Sequence, residues 1–257
     1  MELEFFDCNL NYGPQTATEN LKCCADIEEL AGHMKRAGIA GGLVLKTIKE
    51  AVLANNSIAE DIKNINEPFI NKEMFKGVWQ LLPSCTGEIP APHDLPQIMK
   101  QNNIGALTIN PKAHRYLPRK TVIGDYLAVA RERKIPVLLN TSRGLTLEQA
   151  DDIMQDFPDL TVILNYADTW PSDRFLRPLL DAYPNLCLDM AYMMTDCGLK
   201  DLLKRYAAER ILFGSGFPTS YMGAHMLVIK HAEITEEDKI KIAGGNLKKL
   251  LREARYD

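Results

Sequence analysis

The sequence has few of the features that mark nucleic-acid-binding or membrane proteins. Its 30 lysines and arginines are outnumbered by 34 aspartates and glutamates. No basic stretch is suited to a phosphate backbone, so no nucleic-acid partner is expected. No apolar run approaches the roughly 20 residues that a membrane span requires, so no membrane association is expected either.

The cysteines give no sign of disulfide or zinc-site spacing. The six cysteines form no CxxC pair, and no Cys/His cluster has the spacing of a zinc site. The first residues, MELEFFDCN, are acidic and lack the charged and then apolar layout of a signal peptide. We therefore expect free thiols and a cytoplasmic location.

Short apolar, β-branched runs alternate with amphipathic stretches along the chain. Eight such runs lie at 3–9, 41–46, 75–82, 104–110, 135–140, 160–165, 186–190 and 210–215. Near-continuous apolar strands are typical of a parallel sheet covered by helices. Eight strand–helix units at this length predict an α/β fold, a (β/α)8 TIM barrel with a single domain over residues 1–257. The alternative is a doubly wound open sheet, although no GxGxxG motif follows the first strand.

Polar residues stand where the predicted strands end, which is where the active sites of such barrels lie. They are Asn9 and Asn11, Lys46, Gln80, Asn110, Asn140, Asn165, Asp189, and Ser215 with Gly216. Because side chains alternate along a strand, Asn9 and Asn11 are expected to share one face, with Cys8 pointing toward the helices. Asparagine is common where a strand turns into a loop. Four strands end in asparagine here. The preference accounts well for one or two of them and less well for the full set.

Five segments carry a family resemblance that runs nearly end to end. FDCNLNYG stands where the family has D-x-H-x-H-x-G, and ERILFGSGFP resembles an eighth-strand segment that normally reads L-F-G-S-D-x-P. RKIPVLLNTSRG and FPDLTVILNYAD resemble fifth-strand and sixth-strand segments that usually end in His, and KIAGGNLKKLL resembles the last helix. The chain thus resembles the amidohydrolase superfamily, in particular the amidohydrolase-related group that includes aminocarboxymuconate-semialdehyde decarboxylase. The resemblance implies hydrolase or lyase chemistry and a possible homodimer.

The chain departs from the family pattern at the metal-ligand positions that the resemblance implies. Asn9, Asn11, Asn140 and Asn165 stand where the family has histidines, and Gly216 stands at the eighth-strand aspartate. Zinc takes imidazole, thiolate or carboxylate ligands, and a neutral amide oxygen is a weak donor for it. We therefore expect no metal at this site and no cofactor.

The remaining polar groups supply the candidate site residues. For acid–base work, which needs a group whose pKa burial can tune, the candidates are Asp189, Asp168 and Lys46. For substrate binding they are Asn9, Asn11, Asn140, Arg143, Asn165, Trp170, His114 and Arg115. The arginines suit a substrate carboxylate, because guanidinium offers paired donors.

Two functions follow from this set, and the fold does not decide between them. The first is a metal-independent hydrolase or lyase acting on a small polar or anionic molecule. The alternative is a catalytically inactive relative that binds a small polyhydroxylated or carboxylate ligand, since each amide is both donor and acceptor. A third possibility is structural: the amides hydrogen-bond one another across the barrel mouth and need no ligand.

Overall fold

A computed structural model describes residues 2–14, 24–165, 173–193 and 197–257. Over these ranges, eight parallel strands follow one another in sequential order around a single sheet. The strands are β1 Phe5–Tyr12, β2 Ile39–Lys46, β3 Phe75–Gln80, β4 Ile104–Thr108, β5 Val137–Asn140, β6 Val162–Asn165, β7 Leu186–Asp189 and β8 Ile211–Leu212. The predicted TIM barrel is confirmed, and the doubly wound alternative is excluded because its strand order would not be sequential.

Helices separate the strands and cover the outside of the barrel. They are α1 Ile27–Ala37, α2 Ala51–Asn64, α3 Leu95–Gln101, α4 Pro111–His114, α5 Lys120–Arg133, α6 Leu147–Asp156, α7 Asp173–Ala182, α8 Gly198–Leu203, α9 Met222–His231, α10 Glu236–Ile240 and α11 Asn246–Glu253. Short 3₁₀ turns lie at Ser84–Thr86, Thr141–Arg143 and Ala208–Arg210. None of the helices in the described ranges is long and apolar enough to cross a membrane.

The barrel closes between β8 and β1. The backbone N–H of Cys8 donates to the carbonyl of Phe213 over 2.9 Å, and that of Asn11 donates to the carbonyl of Phe217 over 3.0 Å. Leu10 and Phe217 form a parallel bridge. The chain that follows β8 therefore runs beside the end of β1, which brings residues 213–219 next to Asn9 and Asn11.

The barrel interior is filled by a cluster to which every strand contributes. Its strand members are Phe6, Cys8, Leu43, Leu45, Val78, Ala106, Leu138, Ile163, Cys187 and Leu212, and α11 adds Leu247 and Leu251. A second and larger cluster packs the outer faces of the strands against the helices. This two-layer arrangement is the usual core of a TIM barrel.

The prediction that Cys8 faces the helices is wrong, because Cys8 belongs to the interior cluster. Strand β1 pairs with β2 at Asp7 and at Leu10, but between these points two residues of β1, Cys8 and Asn9, lie opposite the single residue Leu43 of β2. This extra residue is a β-bulge, and it shifts the alternation of side chains. Cys8 therefore points inward below the bulge, while Asn9 and Asn11 reach the barrel mouth above it.

Candidate active site

A cavity of about 210 Å³ opens at the carboxyl ends of the strands. Its lining residues come from strand ends and from the loops that follow them: Asn9, Asn11, Thr47, Asn140, Ser142, Arg143, Asn165, Tyr192, Gly216, Pro218 and Thr219. The structure thus brings together five predicted binding residues, the four asparagines and Arg143. Among the described lining residues, Arg143 and Tyr192 alone carry ionisable side chains.

A chain of hydrogen bonds links these asparagines across the barrel mouth. Arg143 Nη2 donates to Asn11 Oδ1 over 2.7 Å, and Asn11 Nδ2 donates to Asn9 Oδ1 over 3.0 Å. Asn9 Nδ2 then donates to Asp189 Oδ2 over 2.7 Å. Asn165 Nδ2 donates to the same carboxylate oxygen over 2.8 Å. The chain of side chains runs from a cation at one end to a carboxylate at the other, and we call it the amide chain.

Asp189, at the end of β7, lies beneath the amides of Asn9 and Asn165 rather than in the cavity lining. Its side chain is buried, and its Oδ1 accepts the backbone N–H of Ala191 over 2.9 Å. Burial raises the pKa of Asp189, and hydrogen bonds from Asn165, Ala191 and Asn9 oppose that rise. Gly214 makes room for this carboxylate, since a Cβ at position 214 would lie 1.9 Å from Asp189 Oδ1.

The turn after β5 places Arg143 at the cavity. Asn140 Oδ1 accepts the backbone N–H of Ser142 over 2.8 Å and its hydroxyl over 2.6 Å, which folds residues 141–143 into a 3₁₀ turn. Such turns are typical of asparagine at a strand end. Gly144 ends the turn with a φ of +81°, a left-handed conformation that favours glycine. Asn140 therefore has a structural task in addition to lining the cavity.

Arg143 carries a positive charge with little to balance it. Burial lowers the pKa of its guanidinium to about 10, so it stays protonated at neutral pH. Its Nε is buried and makes no hydrogen bond within the described part of the molecule. The hydrogen-bond acceptor of its Nη2 is Asn11, a neutral amide. The phenol of Tyr192 also lines this cavity.

Asp7 is a second buried carboxylate close to the site. It is 0 % exposed, and its Oδ1 accepts the backbone N–H groups of Asn9 and Ser215 over 2.8 and 3.0 Å. Burial raises the pKa of Asp7 to about 7, against the lowering effect of hydrogen bonds from Ser215 and Asn9. These bonds join the end of β1 to the segment after β8. Asp7 therefore holds the two sides of the barrel seam together beneath the cavity.

Lys46 is placed on the other side of β2 from the cavity lining. Its Nζ lies 2.5 Å from Asp61 Oδ2 of α2 and 5.5 Å from the centre of the Tyr12 ring. Tyr12 donates its hydroxyl to the same Asp61 oxygen over 2.5 Å. The next residue, Thr47, lines the cavity instead. The catalytic role of Lys46 stays a prediction, and its contacts are those of a half-buried ion pair.

His114 and Arg115 also lie outside the cavity lining. His114 Nε2 is 3.0 Å from the carbonyl oxygen of Lys49, and its ring stacks on Tyr116. Burial lowers the pKa of His114. Arg115 is exposed at the end of α4 with a φ of +57°. His114 is the last residue of the short helix α4.

Two predicted residues, Asp168 and Trp170, lie outside the described residues, which stop at 165 and resume at 173. Four lining residues were missed by the sequence reasoning: Thr47, Ser142, Pro218 and Thr219. Each stands within three residues of a position that was considered. The signal that could have found Thr47 is the alternation along β2, because it places neighbouring residues on opposite faces.

The side chains described at the strand ends do not fit the metal that the family resemblance implies. The amide oxygens of Asn9, Asn11 and Asn140 already accept N–H donors, and so do both oxygens of Asp189. Nowhere in the described ranges do three or more His, Cys, Asp or Glu side chains gather to hold a metal ion. A dication at the amide chain would also be repelled by the guanidinium of Arg143.

The fold and the site define a TIM barrel with a polar cavity at the ends of its strands. A family model described as amidohydrolase matches residues 106–252, which is more than half of the chain. The chain therefore belongs to the amidohydrolase family. No curated protein matches its sequence.

Solved structures share the fold at low sequence identity. An uncharacterised TIM-barrel protein from Bordetella bronchiseptica is 22% identical, with a TM-score of 0.67 over 89% of this chain and 83% of the other. A 2,6-dihydroxybenzoate decarboxylase from Rhizobium is 14% identical, with a TM-score of 0.71 over 98% of this chain and 99% of the other. A dihydroxybenzoic acid decarboxylase from Polaromonas, with bound manganese and the inhibitor 2-nitroresorcinol, is 15% identical, with a TM-score of 0.69 over 98% and 97%. These likenesses show the fold alone.

Proposed function

We propose that the protein is an amidohydrolase-related hydrolase or lyase that acts on a small anionic molecule without the usual metal centre of the family. The observation that carries this proposal is Arg143, a half-buried guanidinium that lines the cavity and whose hydrogen-bond acceptor in the described structure is the neutral amide of Asn11. A buried charge is costly unless it is paired. An anionic group of the substrate supplies the missing partner through the paired donors of the guanidinium.

The likeness to decarboxylases supports the anionic class of substrate. The solved structures of similar fold include a 2,6-dihydroxybenzoate decarboxylase, whose named substrate is a carboxylate. The resemblance is distant, so the proposal rests on the cavity of this chain and takes from the neighbours only their chemical class. A homodimer, a cytoplasmic location and the lack of a nucleic-acid partner stay predictions.

In this proposal Asp189 acts through the asparagines. Its carboxylate holds the amide nitrogens of Asn9 and Asn165 and does not line the cavity. It is therefore a positioning residue, and its predicted acid–base role requires a proton path through these amides. Tyr192 is a lining group that can donate a hydrogen bond to the substrate, since burial raises its pKa and keeps the phenol protonated. Asp168 stays a predicted acid–base group.

The alternative function is a binding protein without catalysis. One observation favours it: none of the described cavity-lining residues is a carboxylate or a histidine. General acid–base catalysis most often uses such groups. The donors and acceptors of the asparagines would then serve only to hold a small polyhydroxylated or carboxylate ligand.

The deciding experiment measures metal content and turnover on the same sample. The untagged protein is dialysed against a chelator, its zinc, manganese and iron are counted by mass spectrometry, and it is assayed on a panel of small carboxylates, lactones and esters. Turnover with no metal, lost in Arg143→Gln, supports the enzyme. Binding without turnover supports the alternative. Turnover that disappears with chelation and returns with zinc or manganese contradicts the metal-independent proposal.

A further inference from the structure

We propose that the cavity selects small aliphatic carboxylates that carry a hydroxyl beside the carboxylate, and that Asn165 recognises the hydroxyl. This inference rests on the proposed function, because it names the substrate class of the same anion site. It follows from the directions in which the side-chain amides of Asn11, Asn140 and Asn165 are held.

Two neighbours fix the orientation of the Asn11 side-chain amide, because one of them can only donate a hydrogen bond and the other can only accept one. The guanidinium of Arg143 can only donate, so it requires the amide oxygen of Asn11, which it meets at 2.7 Å. The carbonyl of Phe217 can only accept, so it requires the amide nitrogen, which it meets at 3.1 Å. That nitrogen also donates to Asn9 Oδ1. Both N–H groups of Asn11 are thereby engaged, and its oxygen is directed toward Arg143.

The β5 side of the cavity offers donors. Asn140 Oδ1 is taken by the N–H and the hydroxyl of Ser142, at 2.8 and 2.6 Å. A carbonyl oxygen has two lone pairs, so this oxygen is satisfied and the amide nitrogen is what Asn140 presents to a ligand. The guanidinium of Arg143, three residues along, also lines the cavity and is a second donor. These two donor groups match the two oxygens of a carboxylate.

The β6 side offers an acceptor. The amide nitrogen of Asn165 is turned toward Asp189 Oδ2, which it meets at 2.8 Å, so its oxygen is the end directed away from that carboxylate. Asn140 and Asn165 are paired in register on neighbouring strands. Neighbouring strands lie about 4.8 Å apart. A hydroxyl on the carbon next to the carboxylate reaches from the β5 side to the β6 side and donates to the amide oxygen of Asn165. A 2-oxo group at the same carbon would place its oxygen, an acceptor, against that amide oxygen, which is also an acceptor.

The composition of the lining favours an aliphatic ligand over an aromatic one. The described lining contains no Leu, Ile, Val, Met or Phe, and Tyr192 is the one aromatic side chain among its described members. Pockets for aromatic ligands are lined mainly by hydrophobic and aromatic side chains. A short polar acid satisfies this cavity, while a benzene ring would leave its amides without partners.

The test is isothermal titration calorimetry of the full-length protein with four acids: lactate, propionate, pyruvate and 2-hydroxybenzoate. Lactate and propionate differ by one hydroxyl. We expect lactate to bind roughly three- to tenfold tighter than propionate, the effect of one net hydrogen bond. Pyruvate is expected to bind more weakly than propionate, and 2-hydroxybenzoate no tighter than lactate.

Two variants separate the roles. Asn165→Ala is expected to bring the affinities of lactate and propionate within about twofold of each other, because it removes the acceptor for the hydroxyl. Arg143→Gln is expected to weaken both acids by roughly tenfold or more, because both lose the charged donor. If Asn165→Ala does not fold, as judged by circular dichroism, the four acids on the unmodified protein still decide the question.

Each outcome has one meaning. Equal binding of lactate and propionate, tighter binding of pyruvate or 2-hydroxybenzoate, or an unchanged hydroxyl preference in Asn165→Ala overturns the substrate class and leaves the anion site in place. Failure of all four acids to bind overturns the anion site as well, and with it the proposed function.

Discussion

Gly214 and Asp189 depend on each other at the floor of the cavity. A Cβ at position 214 would lie 1.9 Å from Asp189 Oδ1 and 2.6 Å from its carboxyl carbon. A side chain at this position therefore displaces the carboxylate, and with it the donor bonds from Asn9 and Asn165. The glycine is needed here for space, since its neighbour is a buried carboxylate.

We expect Gly214→Ala to lower the free energy of unfolding by roughly 1–3 kcal/mol, the usual cost of overpacking. Urea unfolding followed by circular dichroism measures it. Gly223→Ala is the matched control, because a Cβ there meets no atom within 4 Å. Alanine in this helix should be neutral or slightly stabilising. Equal stability of the two variants would show that the carboxylate has room to move.

Asp7 makes the stability of the protein depend on pH. Its pKa rises from 3.8 to about 7 on folding, because the side chain is buried. Between these values the unfolded chain has lost the proton that the folded chain retains. The contribution of Asp7 to the free energy of unfolding is therefore fully present below about pH 4. It falls as the pH rises toward 7, by an amount on the order of 4 kcal/mol.

The variant Asp7→Asn tests this dependence. It keeps an oxygen to accept the N–H groups of Asn9 and Ser215 but cannot ionise. We expect its stability relative to the unmodified protein to increase steadily between pH 4.5 and pH 7. Urea midpoints at four pH values in this interval give the slope. A constant difference across the interval would mean that Asp7 ionises normally in the folded state.

At the scale of elements, the sequence predicts the positions of the strands well and the directions of some side chains poorly. All eight observed strands overlap the predicted runs, because each strand is a near-continuous apolar segment bounded by polar residues. The bulge in β1 reverses the predicted direction of Cys8, and no local pattern announces an inserted residue. Lys46 and Thr47 differ from this case, because the alternation along β2 is regular and places Thr47 on the same inner face as Leu43 and Leu45.

The β5–α6 connection combines a site turn with a helix start. After the turn that carries Arg143, Thr146 begins α6 with a capping box, in which its hydroxyl accepts the N–H of Gln149 and the Gln149 side chain accepts the N–H of Thr146. This arrangement satisfies two backbone donors that the helix leaves free.

We expect Thr146→Ala to cost about 1 kcal/mol of unfolding free energy, because it removes the capping hydroxyl. Thr146→Ser keeps the hydroxyl and serves as the control. Thermal or urea unfolding of the three proteins measures the difference. A serine variant as unstable as the alanine variant would show that the methyl group of Thr146, not its hydroxyl, stabilises the start of α6.

At the scale of the whole molecule, Arg143 lowers the stability of the ligand-free protein while it favours the binding of an anion. Its half-buried guanidinium has a neutral hydrogen-bond partner, and a charge that is partly removed from water without an anion is destabilising. Anions that bind the folded protein offset this cost through mass action. The protein is therefore expected to be less stable without ligand than its core would allow.

The comparison of Arg143→Gln with the unmodified protein tests this trade-off. Without added anion, we expect the variant to be more stable by about 1 kcal/mol, because glutamine can still donate to Asn11 without a charge. With added lactate, the unmodified protein should gain stability while the variant does not. Differential scanning fluorimetry over a lactate series measures both. A variant less stable than the unmodified protein at every concentration would assign Arg143 a structural role.

The amide chain also constrains how this site can change during evolution. Asn9 and Asn165 share one oxygen of Asp189, and Asn11 holds both Asn9 and Arg143. Substituting any one of them leaves hydrogen-bond donors or acceptors of its neighbours unpaired. The free-energy effects of such mutations will therefore not be additive. A single histidine introduced at one of these positions gains no metal partner and loses between one and three side-chain hydrogen bonds. Each single substitution toward a metal-binding set of side chains is thus unfavourable on its own. A new chemistry at the mouth of this barrel would require several substitutions together.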